Sequence, residues 1–216
     1  MPRIPRGEFA GYCYHVLNRG NGRARVFHTD ADYRAFIQLL ALAKHRFAVS
    51  VLAFCLMPNH FHVVLQPPDN SVLSRFMQWW LTAHVRRHHR RHRTSGHLWQ
   101  GRFKSFPIQG DEHLLTVIHY VLRNPVRAGL VDHHGEWPWS STHFPEATDP
   151  WPLPRPSDWE EQLARAEPTA GLAALRRSVI RQTPFGDPQW QFHVANSAGL
   201  GSSLRPLGRP RKTRKT

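Results

Sequence analysis

His60 and His62 flank a single phenylalanine in the apolar, β-branched run His60-Phe61-His62-Val63-Val64-Leu65, just after the turn-forming Met57-Pro58-Asn59. On a strand, residues i and i+2 point to the same face, about 7 Å apart along the chain. Both imidazoles can therefore turn towards one cation while Phe61 enters a core. Downstream, His119-Tyr120-Val121-Leu122-Arg123-Asn124-Pro125 reads as a helix in which Tyr120 and Asn124, at i and i+4, share a face. Two imidazoles, an amide oxygen and a phenol make a kit for metal-assisted nucleophilic attack on a phosphodiester. A His-x-His pair alone carries little weight in a chain with 16 histidines, where such pairs often end as ordinary hydrogen-bonded residues. The tyrosine, the asparagine and the basic surroundings give it meaning.

A strand must carry the histidines and a helix the tyrosine. Residues 12–18 read as a first strand, closed by the turn Arg19-Gly20-Asn21-Gly22. Thr29 or Asp30 can cap a helix running to about Arg46, with Phe36, Leu39, Leu40 and Ala43 on one face. Residues 48–56 and 60–66 form a hairpin of two further strands. Ser71 caps a helix over 72–91, residues 99–108 form an irregular strand, and Asp111 begins the helix that Asn124-Pro125 bends or ends. A short turn carries residues 126–130. The order β-α-β-β-α-β-α begins with the ferredoxin-like (RRM-like) pattern, an α+β fold with a four-stranded antiparallel sheet and helices on one face. This first domain spans 1–135. A Pro/Trp-rich segment over 136–158 should pack back on it through its indoles. A helical extension over 159–204, broken near Pro168, follows. The tail, 205–216, holds six basic side chains and no acid, and is expected to be disordered without a partner.

The chain of 216 residues carries 29 basic against 15 acidic side chains, a formal charge of +14 and a pI near 11.2. That balance points to a polyanion, and 8 Trp, 12 Phe and 4 Tyr offer stacking surfaces for bases. Candidate phosphate contacts are Arg19; Arg86, Arg87, Arg90 and Arg91 in the run 86–93; and Arg102 and Lys104 beside Phe103. Arg209, Arg211 and Lys212, around Gly208-Arg209-Pro210, resemble an AT-hook. The run 86–93 reads equally as a solvated helix face, and Phe103 equally as core. Cys13 and Cys55 lie far apart, which fits a reducing cytoplasm. The N-terminus shows no apolar signal segment, and the longest apolar run, residues 51–57, is too short to span a bilayer, so no membrane partner is expected.

Four motifs in order carry a family resemblance: Tyr14-His-Val-Leu-Asn-Arg-Gly20, Met57-Pro-Asn-His-Phe-His62, Trp99-Gln-Gly-Arg-Phe-Lys104 and His119-Tyr-Val-Leu-Arg-Asn-Pro-Val-Arg-Ala-Gly129. Over residues 10–140, and more loosely through 176–186 and 208–212, the chain resembles the HUH-type single-tyrosine transposases, in particular the REP-associated tyrosine transposases. The resemblance implies that Tyr120 is the nucleophile and that His60, His62 and Asn124 hold a divalent metal, Mg²⁺ or Mn²⁺. It implies cleavage and rejoining of single-stranded, hairpin-containing repeat DNA (repetitive extragenic palindromes) through a 5′-phosphotyrosine, leaving a free 3′-hydroxyl. Monomer and dimer both stay open. Two rival readings are a non-catalytic ferredoxin-like module that binds nucleic acid through sheet aromatics, and a rolling-circle replication initiator with the same histidine pair. Several initiators place two tyrosines on the nucleophile helix; this one carries Tyr120 alone.

Overall fold

Four strands, β1 (Cys13–Arg19), β2 (Ser50–Met57), β3 (His60–Gln66) and β4 (Lys104–Ile108), pair antiparallel in the order β2-β3-β1-β4. This computed structural model describes residues 11–69, 71–166 and 169–205. Helices α1 (Asp30–Phe47) and α2 (Val72–His92) cover one face, as the ferredoxin-like order requires. A third helix, α3 (Glu112–Leu122), covers the other and is followed by the single turn α4 (Asn124–Arg127). Both faces are therefore dry, which explains why β2 and β3 read as nearly continuous apolar runs rather than as alternating ones.

Alternation still decides which side chain enters which core. Tyr14, Val16, Phe61, Val63 and Leu65 point at α1 and α2, where Trp80 and Phe36 stack at 4.3 Å between ring centres. Cys13, Val64, Phe106 and Ile108 point at Leu114, Val117, Ile118 and Val121 of α3. Phe103 belongs to the α1/α2 core.

Local chemistry sets the element ends. Asp32 reaches back to the amide and hydroxyl of Thr29 at 2.9 and 3.1 Å, which starts α1. Ser71 precedes α2, but its hydroxyl donates to Asp69 (2.8 Å) rather than capping the helix. The strand expected over 99–108 pairs regularly only from Lys104. Trp99 makes a lone bridge to Gly20, and Gly101 interrupts the extension at φ +147°. Tyr120 and Asn124 do not share one continuous helix: Pro125 has no N–H to donate to the preceding turn, and α3 gives way to α4 at Arg123.

The C-terminal third closes both sheet edges. Along β2, Leu56 N–H donates to Trp139 O (2.8 Å), Phe54 N–H to Ser141 Oγ (3.1 Å) and Val51 N–H to Asp149 Oδ2 (2.8 Å). The indoles of Trp137 and Trp151 donate to Leu56 O (2.9 Å) and Leu52 O (3.0 Å), so the segment does pack back through its indoles. Along β4, Phe185 exchanges backbone bonds with Pro107 and Gln109, both 2.9 Å. Helices α5 (Trp159–Ala164) and α6 (Thr169–Arg181) flank Pro168, and α7 (Pro188–Ser197) and α8 (Gly201–Leu204) follow. Arg209, Arg211 and Lys212, and the expectation of a disordered tail, lie outside the described residues.

Trp139 stacks on Tyr33 at 4.6 Å and is 7% exposed. Trp139→Ala should cost about 3–5 kcal/mol in urea unfolding and speed hydrogen exchange at the amides of Phe54 and Leu56. Unchanged exchange there would show that this segment does not guard the β2 edge.

Candidate active site

The Pro58-Asn59 turn that delivers His60 is held from outside the hairpin. Pro58 O accepts from Val26 N–H (2.8 Å) and Phe27 N–H (3.1 Å), Asn59 O accepts from Gly20 N–H (2.7 Å), and Asn59 Nδ2 donates to Arg23 O (3.0 Å). Gly20 is required at that crossing, because a Cβ there would lie 2.3 Å from Ala24 O. The turn thus ties the motif at residues 14–20 to the motif at 57–62.

From it, β3 runs with His60 opposite Arg19 and His62 opposite Leu17, both histidines on the α3 side of the sheet. Their ring centres are 5.1 Å apart. His60 Nδ1 lies 2.7 Å from Asn59 Oδ1, an acceptor, so the ring donates there and leaves Nε2 with its lone pair. His62 Nδ1 lies 2.8 Å from Nε2 of His15, with the two rings stacked at 4.9 Å. One proton is shared in that contact. If His62 donates it, Nε2 of His62 is free as a ligand and His15 keeps a proton on Nδ1, a buried atom without a partner among the described residues. Neither Nε2 of His60 nor Nε2 of His62 is engaged by another described group.

Tyr120 closes the site from α3. Its ring is 5.8 Å from that of His62 and 6.1 Å from that of His15, edge to face with both, and the residue is 7% exposed. The guanidinium of Arg127, on α4, lies 3.8 Å over the Tyr120 ring and donates to Tyr120 O at 2.9 Å. That bond serves a carbonyl at the end of α3, where the backbone ladder lapses. Asn124 opens α4; it is 8% exposed, and its buried Nδ2 has no hydrogen-bond partner among the described residues. The donor set of two free imidazole nitrogens and an uncommitted amide suits a divalent cation, with the imidazoles oriented by hydrogen bonds from their far nitrogens.

The electrostatics keep these imidazoles neutral. Burial, then the charge of Arg127, lowers the His15 pKa to about 3. Burial, then Arg19, lowers His60 to about 4. His62 lies well below its ordinary value through burial, with His15, His60 and Arg127 adding to it. Lone pairs are thus available across the physiological range.

Among the candidate phosphate contacts, Arg19 and Lys104 share the face of His60 and His62, and Lys104 stands beside Leu17 in the row that contains His62. Arg86, Arg87, Arg90 and Arg91 lie on α2, beyond the opposite face, and Arg91 is partly spent on Asp32 at 3.2 Å. Arg102 is exposed in the loop before β4. His15 and Arg127 were not among the residues singled out from the sequence. Both lie within the noted motifs, two residues before Leu17 and three after Asn124, so alternation on β1 and helical spacing after Tyr120 were the available signals. A further cluster, Asp111, Glu112 and His113, has donor atoms within 4.8 Å of one another. It stands at the far end of α3, about 10 Å from Tyr120 along the helix, where Asp111 accepts from the amide (2.9 Å) and ring (2.7 Å) of His113 as a helix cap.

Known proteins resemble this chain in sequence and in fold. The sequence pattern of the family described as "Transposase IS200 like" matches residues 9–124. A Haemophilus influenzae protein assigned as a REP-associated tyrosine transposase is 28% identical over 119 residues, half of this chain and 65% of that one, so this chain spans just under two thirds of that relative's length. An Escherichia coli REP-associated tyrosine transposase is 22% identical over 151 residues, covering 69% of this chain and 84% of the relative. The solved structure of a REP-associated tyrosine transposase bound to a REP hairpin superposes with a TM-score of 0.56 at 19% identity, covering 72% of this chain and 93% of that one, a likeness of fold.

The buried imidazoles predict a pH dependence of folding. An unfolded histidine takes up a proton below about pH 6.5, whereas His15 in the fold does so only near 3. The unfolded state therefore binds the extra proton, and stability falls as pH drops below 6.5, by up to about 1.4 kcal/mol per pH unit per such group. His15→Phe should make the decline between pH 6 and 5 shallower by nearly one proton, read from urea unfolding at each pH. An unchanged slope would show that His15 is not held neutral.

Proposed function

The chain belongs to the IS200-like transposase family, and on that footing we propose that it cuts and rejoins single-stranded DNA carrying hairpins, with Tyr120 as the nucleophile. The observation that carries this reading is the packing of the Tyr120 ring against His62, beside two imidazole Nε2 atoms that no described group occupies. Repeat hairpins of the kind bound by the structural relative are the substrate class that the likeness favours.

In the proposed step, Tyr120 Oη bonds to phosphorus as the bond to the 3′-oxygen breaks. The phenol loses its proton, the departing oxygen gains one, and a 5′-phosphotyrosine and a 3′-hydroxyl result. The phosphodiester energy is retained, so a 3′-hydroxyl can reverse the attack and join strands without ATP. His60, His62 and Asn124 would hold Mg²⁺ or Mn²⁺. Such a cation supplies Lewis-acid polarisation of a phosphate oxygen. Arg127 adds a fixed positive charge over the nucleophile's ring, and Arg19 and Lys104 offer phosphate contacts on the same face. His15 holds the His62 ring and so positions a ligand without touching substrate.

The test is incubation of the protein and Mn²⁺ with single-stranded hairpin DNA, followed by denaturing electrophoresis. A covalent adduct is expected from the parent and none from Tyr120→Phe, which removes one hydroxyl and should leave DNA binding intact. His60→Ala and His62→Ala should lose cleavage while keeping most of the affinity. An adduct of undiminished yield from Tyr120→Phe would move the nucleophile elsewhere.

A further inference from the structure

A second group of histidines lies on the far side of the sheet, where the proposed strand chemistry has no use for it. His88 and His92 stand one turn apart on α2, with ring centres at 4.5 Å. His28, in the loop before α1, approaches both, at 5.8 Å from His88 and 5.0 Å from His92. His88 is 7% exposed, and both of its ring nitrogens are buried without any hydrogen-bond partner among the described residues. A doubly orphaned imidazole beside two others is costly unless something accepts its lone pair. His92 Nε2 lies 3.0 Å from Asp32 Oδ1, which leaves its Nδ1 uncommitted among the described residues. The ring of His28 is exposed and makes no hydrogen bond to a described residue.

We propose that His28, His88 and His92 form a binding site for a zinc-class divalent cation, distinct from the His60/His62 site and backed by the carboxylate of Asp32. Imidazole nitrogens sit about 2.0–2.1 Å from zinc. Ring centres lie about 1 Å further out, so two rings at a tetrahedral angle have centres about 5 Å apart. The three spacings of 4.5, 5.0 and 5.8 Å bracket that value. Binding would require the rings to turn, since among the described residues only Asp111, Glu112 and His113 already hold three donors within 4.8 Å. The i, i+4 placement on α2 is the helical spacing that puts two histidines on one face towards a metal.

Asp32 fits the role of outer partner. Burial alone would raise its pKa, but hydrogen bonds from His92, Thr29 and His28 hold it at about 2, so a negative charge stands behind the His92 ring. A carboxylate–histidine pair of this kind orients the ring and raises its basicity towards a metal. Burial, with His92 and His28 next, keeps His88 neutral down to about pH 4, and the lone pairs are free at neutral pH. An all-imidazole set selects zinc, copper or nickel over Mg²⁺, whereas the amide-containing set opposite is harder. The cation would pin the last turns of α2, which carry Arg86, Arg87, Arg90 and Arg91, to the start of α1.

Untagged, metal-stripped full-length protein tests this, with His60→Gln and His62→Gln introduced so that the other pair does not contribute. Equilibrium dialysis against Zn²⁺ should give one tightly held ion per chain, and Zn²⁺ should raise the melting temperature. Adding His88→Asn and His92→Asn should abolish both effects. His28→Asn, at an exposed position with little risk to folding, should weaken Zn²⁺ binding at least tenfold. Absence of a bound ion in the first variant would overturn the proposal. So would full retention of the ion after either the His88/His92 changes or His28→Asn.

Discussion

The period-two register between β1 and β3 is the constraint on which the site depends. Arg19 faces His60 and Leu17 faces His62, and this pairing turns both imidazoles towards α3. A slip of one residue would send them into the α1/α2 core and bring Phe61 and Val63 under Tyr120. What prevents the slip is chemically idle: Phe61 packs at 5.3 Å from Phe36, 5.1 Å from Trp80 and 5.3 Å from Trp99. Aromatic burial on one face thereby fixes the geometry of polar groups on the other.

A sheet buried on both faces leaves its edges as the remaining hazard, since unpaired strand edges recruit other strands. Residues 137–151 satisfy the outer groups of β2, and Phe185 does the same for β4. On the second face, α3 packs Leu114, Val117, Ile118 and Val121 onto the sheet and keeps it dry. Dryness holds His15, His60 and His62 neutral and lets the nearby charges of Arg127 and Arg19 act at low screening. The imidazoles are ready as ligands because burial between the sheet and α3 keeps them neutral.

Much of this was legible in the sequence because the signals were local. The Met57-Pro58-Asn59 turn marks where β3 begins, and the ladder starts at His60 as the turn implies. The four-stranded order and the break between α5 and α6 followed from periodicity and proline. Contacts between elements were harder to read. His15 is 47 residues from His62, and only the register brings them together. Arg127 reaches back over Tyr120 because the helix breaks at Arg123, a consequence of Pro125 that spacing on an ideal helix conceals. Arg86 and its neighbours read equally as a grip for DNA and as a solvated helix face, and that they lie behind the face away from Tyr120 follows only from the packing of α2.

The cation proposed for this site belongs between His60, His62 and Asn124, under Tyr120. Crystals of the protein soaked with Mn²⁺ and measured near the manganese absorption edge test it most directly, because anomalous density locates the ion without reference to activity. A peak is expected within about 2.0–2.4 Å of Nε2 of His60 and Nε2 of His62, with the Asn124 amide turned towards it. A fully occupied peak only at Asp111, Glu112 and His113, with His60 and His62 bare, would contradict it.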